Sequence, residues 1–188
     1  MNMDRIEAIQ RELKDDLNTL ATIDHKLKEA IKYYVGEFDL KGNEVVGWLG
    51  EMYSCHFFDG EIQPDVISYD ILIPGKVEER LEVKTRRVSK SGKDHGTQSG
   101  VIKLTGREQE DPTSLVFVTL TRDYLLQSIY KFPLSEIFGG LDNIKRLRSS
   151  KVKKNFRGYT LTLREDDKQY LVYPEVGTFW KGDEQINR

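Results

Sequence analysis

Three charged side chains, Asp70, Glu82 and Lys84, are spaced so that a β-hairpin would bring them together. Glu82 and Lys84 are two residues apart, so their side chains share one face of a strand. If the chain reverses near Lys76, Asp70 lies six positions before the turn and Glu82 six after it, which pairs their side chains about 5 Å apart. Two adjacent carboxylates repel each other, and a hard cation such as Mg²⁺, which takes oxygen ligands, would relieve that repulsion. The spacing therefore predicts a metal site at which Lys84 orients a water for attack on a phosphodiester.

The flanking segments have the patterns that such a hairpin needs. Residues 66–73 and 79–88 are extended apolar runs with a Pro-Gly-Lys segment between them, which predicts two strands and a turn. Before them, residues 43–58 carry apolar side chains at helical spacing, and Gly60 predicts the end of that helix. After them, the continuous apolar run of residues 115–120 (LVFVTL) predicts a strand buried on both faces.

The N-terminal segment, residues 6–34, predicts one long amphipathic helix or a pair of helices, because apolar residues recur at intervals of three and four. Positions 6, 13, 20, 27 and 34 form a heptad column, which suits either a self-association seam or packing on the protein's own core. Asp16 and Asp24 interrupt the apolar stripe, which favours packing on the core.

Less regular patterns cover the other half of the chain. Residues 101–109 predict a short helix, residues 127–132 a strand, and residues 134–147 a broken helix. Residues 158–163 and 169–173, parted by three acidic residues, predict a second hairpin. Because neither a repeat nor a linker divides the sequence, we expect one α/β domain over residues 1–188.

Composition excludes several classes of protein. Cys55 is the single cysteine, so an internal disulfide is ruled out, and no Cys/His spacing suits a structural zinc ion. The neighbouring pair Cys55 and His56 suggests a nucleophile, but their apolar helical surroundings favour a buried thiol. No apolar run reaches the roughly 20 residues that span a bilayer, and no signal-peptide core or phosphate-binding glycine motif occurs. We therefore expect a cytoplasmic protein that is neither an ATP motor nor a dinucleotide enzyme.

Charge is segregated along the chain. Residues 1–79 contain 8 Lys and Arg against 17 Asp and Glu, whereas residues 80–188 contain 21 against 14. This asymmetry suggests an electropositive face for a polyanion, although the same cations could form a solvated face that balances the acidic half. The candidate nucleic-acid-binding residues fall in two basic stretches: Arg86, Arg87, Lys90 and Lys93, and then Lys145, Arg146, Arg148, Lys151, Lys153, Lys154 and Arg157.

At the predicted hairpin the sequence resembles the PD-(D/E)XK nuclease superfamily, in which an Asp precedes a Glu-x-Lys triplet across two strands. The matching segments are residues 69–73 (YDILI) and 81–85 (LEVKT), and the resemblance covers residues 43–121. Tyr69 stands where the family usually has a proline. Asp65 does follow a proline, but five residues along an extended strand place it about 16 Å from Asp70 and on the opposite face.

The resemblance implies a restriction-endonuclease-like fold, with an αβββαβ core and a mixed central sheet flanked by helices. In this chain we expect a helical extension over residues 1–36, the core over residues 43–132, and a basic segment with a C-terminal β-hairpin over residues 133–188. The resemblance also implies that Asp70, Glu82 and the Val83 carbonyl bind Mg²⁺, for which Mn²⁺ can substitute. Glu51, on the helix before the hairpin, would be a further ligand.

The predicted function is that of a metal-dependent endonuclease that hydrolyses phosphodiester bonds in DNA, of a restriction or repair type. Cutting both strands would favour a homodimer, for which the N-terminal helices offer one seam, and a place in a larger defence or repair complex is also open. The alternative is a catalytically silent nuclease-fold subunit that binds nucleic acid or a partner protein. RNA as the substrate is a third option.

Overall fold

The computed structural model of the protein describes the following residues: 3–35, 44–64, 67–75, 77–87, 102–104, 110–138, 147–150, 157–163 and 165–173. In chain order the elements are α1 (Met3–Val35), α2 (Glu44–Phe58), β1 (Glu61–Ile62), β2 (Ile71–Ile73), β3 (Glu79–Arg87), β4 (Ile102–Leu104), β5 (Ser114–Leu120), β6 (Leu126–Pro133), α3 (Leu134–Phe138), β7 (Leu147–Ser150), β8 (Arg157–Leu161), a 3-10 helix (Glu165–Tyr170) and β9 (Leu171–Tyr173). None of the helices in these ranges has the length and apolar composition needed to cross a membrane.

Two sheets are present in the described ranges. The larger has six strands in the order β1-β2-β3-β5-β6-β9, and the smaller has three in the order β4-β8-β7. Within the larger sheet β3 and β5 pair in parallel, while the other neighbours are antiparallel. The protein is therefore mixed α/β, with a central mixed sheet flanked by helices, as the sequence predicts.

The two faces of the large sheet pack against different elements. On one face, here called the helical face, α1 and α2 cover alternate residues of the strands, including Leu81, Val83, Val116 and Val118. On the other, here called the small-sheet face, residues of β4, β8 and α3 cover the intervening positions, including Leu115 and Phe117. All seven residues of β5 are buried, which confirms the predicted central strand.

Helix α1 confirms the prediction of one long N-terminal helix, and the described side chains of its heptad column, at positions 6, 13 and 20, pack on the protein's own core. Ile6 is fully buried, and Leu13 and Leu20 are partly buried against the same hydrophobic cluster. Asp24, which interrupts the apolar stripe in the sequence, forms an ion pair with Arg87 at the end of β3, with 2.9 Å between Oδ2 and Nη2. Asp24 therefore replaces an apolar residue in the stripe because its side chain forms a contact between α1 and β3.

Helix α2 ends at Phe58, as the sequence predicts. Asp59 has φ of 56°, and Gly60 N donates to the Cys55 carbonyl at 3.0 Å, which is the pattern of a Schellman motif with Asp59 in the left-handed position. Gly60 is required for a different reason, because a Cβ there would lie 2.6 Å from Ile71 Cγ2. The prediction that Gly60 closes the helix is correct in place and wrong in mechanism.

Two predicted elements are wrong in part. Residues 67–70 form bends and only Ile71–Ile73 forms a strand, because the backbone curls through hydrogen bonds from Gln63 to the Asp70 carbonyl and from Ile67 to the Pro64 carbonyl. Residues 102–104 are a strand, whereas a helix was predicted over 101–109; the other residues of that prediction lie outside the described ranges. Ile102 is fully buried and pairs with β8, so pairing overrides local helical preference.

The predicted C-terminal hairpin is wrong. β8 pairs with β4 and β7 in the small sheet, whereas β9 pairs with β6 in the large sheet. The acidic segment between them is a 3-10 helix, and Asp167 within it is fully buried, so it is not a solvated turn. Of the predicted broken helix of residues 134–147, residues 134–138 form α3 and Leu147 begins β7, whereas residues 139–146 lie outside the described ranges.

Candidate functional site

The hairpin of β2 and β3 has the predicted register. Ile71 pairs with Leu81 and Ile73 with Glu79, so the turn is centred on position 76. Asp70 precedes β2, and its N–H donates to the Leu81 carbonyl at 2.9 Å. This hydrogen bond is offset by one residue from a continued ladder, in which Asp70 would be opposite Glu82, so the predicted pairing of Asp70 with Glu82 stays a prediction.

The Asp70 carboxylate accepts a backbone hydrogen bond from β3 at the end of the β2–β3 pairing. Beyond Leu81, strand β3 has no further β2 residue opposite it, and the Val83 N–H faces the side that β2 has left. Asp70 Oδ2 accepts this hydrogen bond, with 2.6 Å between oxygen and nitrogen. Asp70 is therefore held against the backbone of the residue between Glu82 and Lys84.

Glu82 and Lys84 form an ion pair on one face of β3. The Lys84 ammonium contacts Glu82 Oε1, and Lys84 Nζ also donates to the Val83 carbonyl at 3.2 Å. The Glu82 side chain is 10% exposed and that of Lys84 is 20% exposed. A carboxylate this deeply buried needs a nearby positive charge, because desolvation strongly disfavours an unpaired one.

This ion pair lies on the small-sheet face. In the parallel ladder Glu82 is in register with Leu115 and Lys84 with Phe117, and both of those residues belong to the hydrophobic cluster that β4, β8 and α3 cover. The Glu-x-Lys triplet is therefore presented to the same side of the sheet as the small sheet. Sequence periodicity alone predicts the shared face but not what covers it.

Glu51 lies on the helix that covers the opposite face. It is half-buried, and its neighbour Gly50 packs so closely on Thr85 that a Cβ at position 50 would lie 1.7 Å from Thr85 Oγ1. Thr85 alternates with Lys84 and so points to the helical face. The role of Glu51 as a metal ligand stays a prediction, and the competing Asp65 lies outside the described residues.

The first basic stretch is divided between the two faces. Arg86 is half-buried and shares the parity of Glu82 and Lys84, whereas Arg87 lies on the helical face. The Arg87 guanidinium contacts Asp24, and its Cζ lies 4.2 Å from the centre of the Tyr124 ring. Lys90 and Lys93 lie outside the described residues, so their predicted role stays a prediction.

The second basic stretch contributes to the small sheet. Arg148 lies in β7 and Arg157 begins β8, and these strands pair antiparallel with each other. The other candidate cations of this stretch lie outside the described residues: Lys145, Arg146, Lys151, Lys153 and Lys154. Part of this basic stretch therefore forms β7 and β8. These strands belong to the small sheet, which packs on the face of the large sheet that carries Glu82 and Lys84.

Cys55 and His56 do not form an activated pair. Cys55 is half-buried and its Sγ donates to the Gly60 carbonyl at 3.0 Å, while burial raises the pKa of the thiol. Burial also lowers the pKa of His56, and Arg5 lowers it further. A raised thiol pKa disfavours the thiolate, so the geometry supports a structural cysteine.

A second Lys–Glu pair has no signal in the sequence, whereas Tyr53 is buried on the apolar side of α2, where its helical spacing places it. Lys131 Nζ lies 2.7 Å from Glu79 Oε2 on the helical face, and Ser114 donates to Glu79 Oε1 at 2.9 Å. Tyr53 is fully buried, and its hydroxyl has no hydrogen-bond partner among the described residues. Such contacts depend on which strands and helices become neighbours, which local patterns do not specify.

The hairpin offers oxygen atoms, which are the type of ligand that a hard cation takes. Among the described residues no group of three or more His, Cys, Asp or Glu is arranged to hold a metal ion. The donors that remain are the carboxylates of Asp70 and Glu82 and the Val83 carbonyl. Mg²⁺ is commonly bound by one or two carboxylates, with water and phosphate completing its octahedron, so this smaller set suits Mg²⁺ better than Ca²⁺.

Comparison with known proteins assigns no class to the chain. No protein-family model matches the sequence, and no curated protein is significantly similar to it.

Proposed function

We propose that the protein is a Mg²⁺-dependent nuclease whose active site is formed by Asp70, Glu82 and Lys84. The observation that carries this proposal is the set of contacts around Val83: the Asp70 carboxylate accepts from the Val83 N–H, and the Lys84 ammonium contacts both Glu82 and the Val83 carbonyl. An acid, a second acid and an ammonium on adjacent strands are the groups that phosphodiester hydrolysis needs for cation binding and charge stabilisation.

In this proposal Asp70, Glu82 and the Val83 carbonyl hold Mg²⁺ or Mn²⁺, and Glu51 is a further candidate ligand. When bound, the cation supplies positive charge beside the phosphate oxygens, where negative charge develops during hydrolysis. Lys84 donates hydrogen bonds to the attacking water or to a phosphate oxygen. The partial burial of Glu82 and Lys84 strengthens these interactions, because water screens them less there.

A nucleic acid as the substrate is supported by charge. The chain carries its excess of cations after residue 80, and one basic stretch contributes strands to the sheet on the same side as Lys84. Lys and Arg that contact phosphates contribute affinity that falls steeply with salt. We propose DNA, cut internally by a cytoplasmic enzyme of a restriction or repair type, and a homodimer where both strands are cut.

The fold supports a restriction-endonuclease-like core in part. An antiparallel hairpin whose second strand pairs in parallel with the next strand of the sheet agrees with the arrangement that the resemblance implies. Within the connection between those two strands, residues 102–104 form β4 of the small sheet and residues 110–113 are not helical, while residues 88–101 and 105–109 lie outside the described ranges. The helix that the resemblance implies in this connection stays a prediction.

A second candidate is a catalytically silent protein of the same fold that binds nucleic acid. One observation favours it: the Lys84 ammonium is paired with Glu82, and the Asp70 carboxylate with the Val83 N–H, so these charges have partners within the protein. The cluster would then stabilise the hairpin and perform no chemistry.

Plasmid cleavage with a matched control distinguishes the two candidates. Supercoiled plasmid is incubated with Mg²⁺, Mn²⁺ or EDTA and the parent, Glu82→Gln or Lys84→Met. Lys131→Met is the control, because Lys131 and Glu79 form a comparable pair on the helical face, with side chains 24% and 31% exposed. We expect metal-dependent nicking by the parent and the control, and a loss of about 100-fold or more for Lys84→Met.

DNA affinity, measured in parallel, completes the test. Under the nuclease proposal Lys84→Met still binds DNA, because the ammonium acts on the transition state more than on the bound substrate. Equal cleavage by Lys84→Met and the parent would show that the assignment is wrong. If the parent binds DNA with a steep salt dependence and never cuts it, the silent candidate is favoured.

A further inference from the structure

The Lys84 ammonium occupies a position between oxygen atoms that the proposed cation also needs. It contacts Glu82 Oε1 and donates to the Val83 carbonyl at 3.2 Å. These are two of the three oxygen donors of the hairpin, and the third, on Asp70, is tied to the Val83 N–H. The Lys84 ammonium is therefore already in contact with oxygen atoms that the proposed cation would bind.

A divalent cation bound to Glu82 Oε1 and the Val83 carbonyl would lie beside the ammonium that contacts both atoms. In the free protein Glu82 is buried, and the Lys84 ammonium is a positive charge in contact with it. A divalent cation that binds Glu82 supplies that charge instead, and its repulsion of the ammonium in a weakly screened environment moves Lys84 away. Any free energy by which Lys84 stabilises the metal-free site therefore makes the free energy of metal binding less favourable.

We propose that Lys84 is an internal competitor for the divalent cation, which must displace its ammonium from Glu82 to bind. This inference rests on the proposed function, since it concerns the same metal site. It gives Lys84 two successive positions: on Glu82 when the metal is absent, and free to reach the phosphate or the attacking water when the metal is present. The release of the ammonium is then coupled to metal binding, so a metal-free site does not present a free lysine to DNA.

Metal titration without DNA tests the competition. Mn²⁺ binding is measured by isothermal titration calorimetry for the full-length parent, Lys84→Met, Glu82→Gln and the control Lys131→Met, at one pH and one ionic strength. We expect Lys84→Met to bind Mn²⁺ about tenfold more tightly than the parent, which corresponds to about 1.4 kcal/mol. Lys131→Met should bind like the parent, and Glu82→Gln should bind much more weakly. Equal or weaker binding by Lys84→Met would overturn the inference.

A measurement on the unaltered protein covers the case in which Lys84→Met does not fold. Lysines are acetylated with limiting acetic anhydride, with and without Mn²⁺, and the modification of each peptide is quantified by mass spectrometry. We expect Mn²⁺ to increase the labelling of Lys84 severalfold and to leave that of Lys131 unchanged. Labelling of Lys84 that stays constant or decreases at saturating Mn²⁺ would contradict the release of the ammonium.

The outcomes separate this inference from the proposed function. If the parent binds no Mn²⁺, or binds it equally well after Glu82→Gln, the metal site itself is wrong and both proposals fail. If binding depends on Glu82 but Lys84→Met does not tighten it, the nuclease proposal stands and the competition is rejected.

Discussion

Asp70 Oδ2 lies 2.6 Å from the backbone nitrogen of Val83 and accepts its hydrogen bond. Strand β2 begins at Ile71, whereas β3 continues beyond its paired residue Leu81. The carboxylate therefore accepts a hydrogen bond that has no acceptor in β2. Asp70 therefore contributes to the fold as a hydrogen-bond acceptor, and in the proposed function it contributes to metal binding as a charge. These two roles can be separated by substitution.

Asparagine and alanine at position 70 should have different effects on stability. Asp70→Asn keeps an oxygen acceptor for the Val83 N–H, so we expect it to lose little stability. Asp70→Ala removes the acceptor of a hydrogen bond to a charged group and should cost about 1.5 to 3 kcal/mol. Urea denaturation measures both, with Asp123→Ala as a control at an exposed acid in the turn after β5.

Metal binding should treat the same two variants alike, because both remove the negative charge. If Asp70→Asn were as unstable as Asp70→Ala, the acceptor role would be wrong. If Asp70→Asn bound Mn²⁺ as tightly as the parent, Asp70 would have no place in the metal site.

Two glycines of α2 should respond to alanine in opposite directions. A Cβ at Gly50 would lie 1.7 Å from Thr85 Oγ1 and 2.8 Å from Thr85 Cβ, whereas a Cβ at Gly47 would have nothing within 4 Å. Gly47→Ala should therefore stabilise the protein by about 1 kcal/mol through helix propensity. Gly50→Ala should destabilise it by about 1 to 3 kcal/mol, because α2 must move away from β3.

Thermal unfolding of the two variants checks this contrast on one helix. Because β3 carries Glu82 and Lys84, Gly50→Ala should also reduce plasmid cleavage, and Gly47→Ala should not. A stabilising effect of Gly50→Ala would mean that α2 does not approach β3 as closely as the structure places it.

The hairpin could be predicted because its information is local. A side-chain period of two and a turn centred on position 76 were sufficient to predict the register between β2 and β3 and to place Lys84 on the face of Glu82. The backbone contact between Asp70 and Val83 could not be predicted in this way. It exists because β2 begins only at Ile71. The sequence pattern predicts a strand that begins five residues earlier, at position 66.

Pairing between distant segments could not be predicted. Residues 102–104 and β8 form neighbouring strands of the small sheet although more than fifty residues separate them. A short apolar segment has no preferred partner until the rest of the sheet exists, which is why β8 was assigned to a hairpin with β9. Asp24 shows the same limit, since its partner Arg87 lies on another element.

Alkaline pH should destabilise the protein through Tyr53. Burial, followed by the nearby Tyr173, raises the pKa of Tyr53 from 10.0 to about 12. In the unfolded chain the phenol ionises near pH 10, so the folded state holds the extra proton between about pH 10 and 12. The stability that this group contributes is complete below pH 10 and is lost as pH rises through that window, by at most about 1.4 kcal/mol per pH unit.

Tyr53→Phe tests the assignment, because it removes the ionisable group and keeps the ring. The Tyr53 hydroxyl has no partner among the described residues, so the variant should be as stable as the parent at neutral pH or slightly more stable. Between pH 10 and 12 its unfolding free energy, measured in urea, should fall less steeply than that of the parent. Parallel curves would show that Tyr53 does not cause the decline.

Arg87 and Asp24 should be energetically coupled, and this bears on which cations contact DNA. Their side chains are 21% and 27% exposed, and the guanidinium also stacks on Tyr124. We expect a double-mutant cycle of Asp24→Asn and Arg87→Met to give a coupling of about 0.5 to 1 kcal/mol. The control cycle is Arg5→Met with Asp59→Asn, an ion pair whose side chains are 43% and 87% exposed and whose coupling should be close to zero.

The same Arg87→Met variant distinguishes a structural arginine from a phosphate contact. If Asp24 and Tyr124 hold the guanidinium, the variant should lose stability and keep the parent's dependence of DNA affinity on salt. If Arg87 contacts a phosphate, as the basic stretch in the sequence predicts, the slope of log affinity against log salt should decrease by about one. Since Arg87 lies on the helical face and Lys84 on the opposite one, we expect the unchanged slope, with DNA approaching from the small-sheet face.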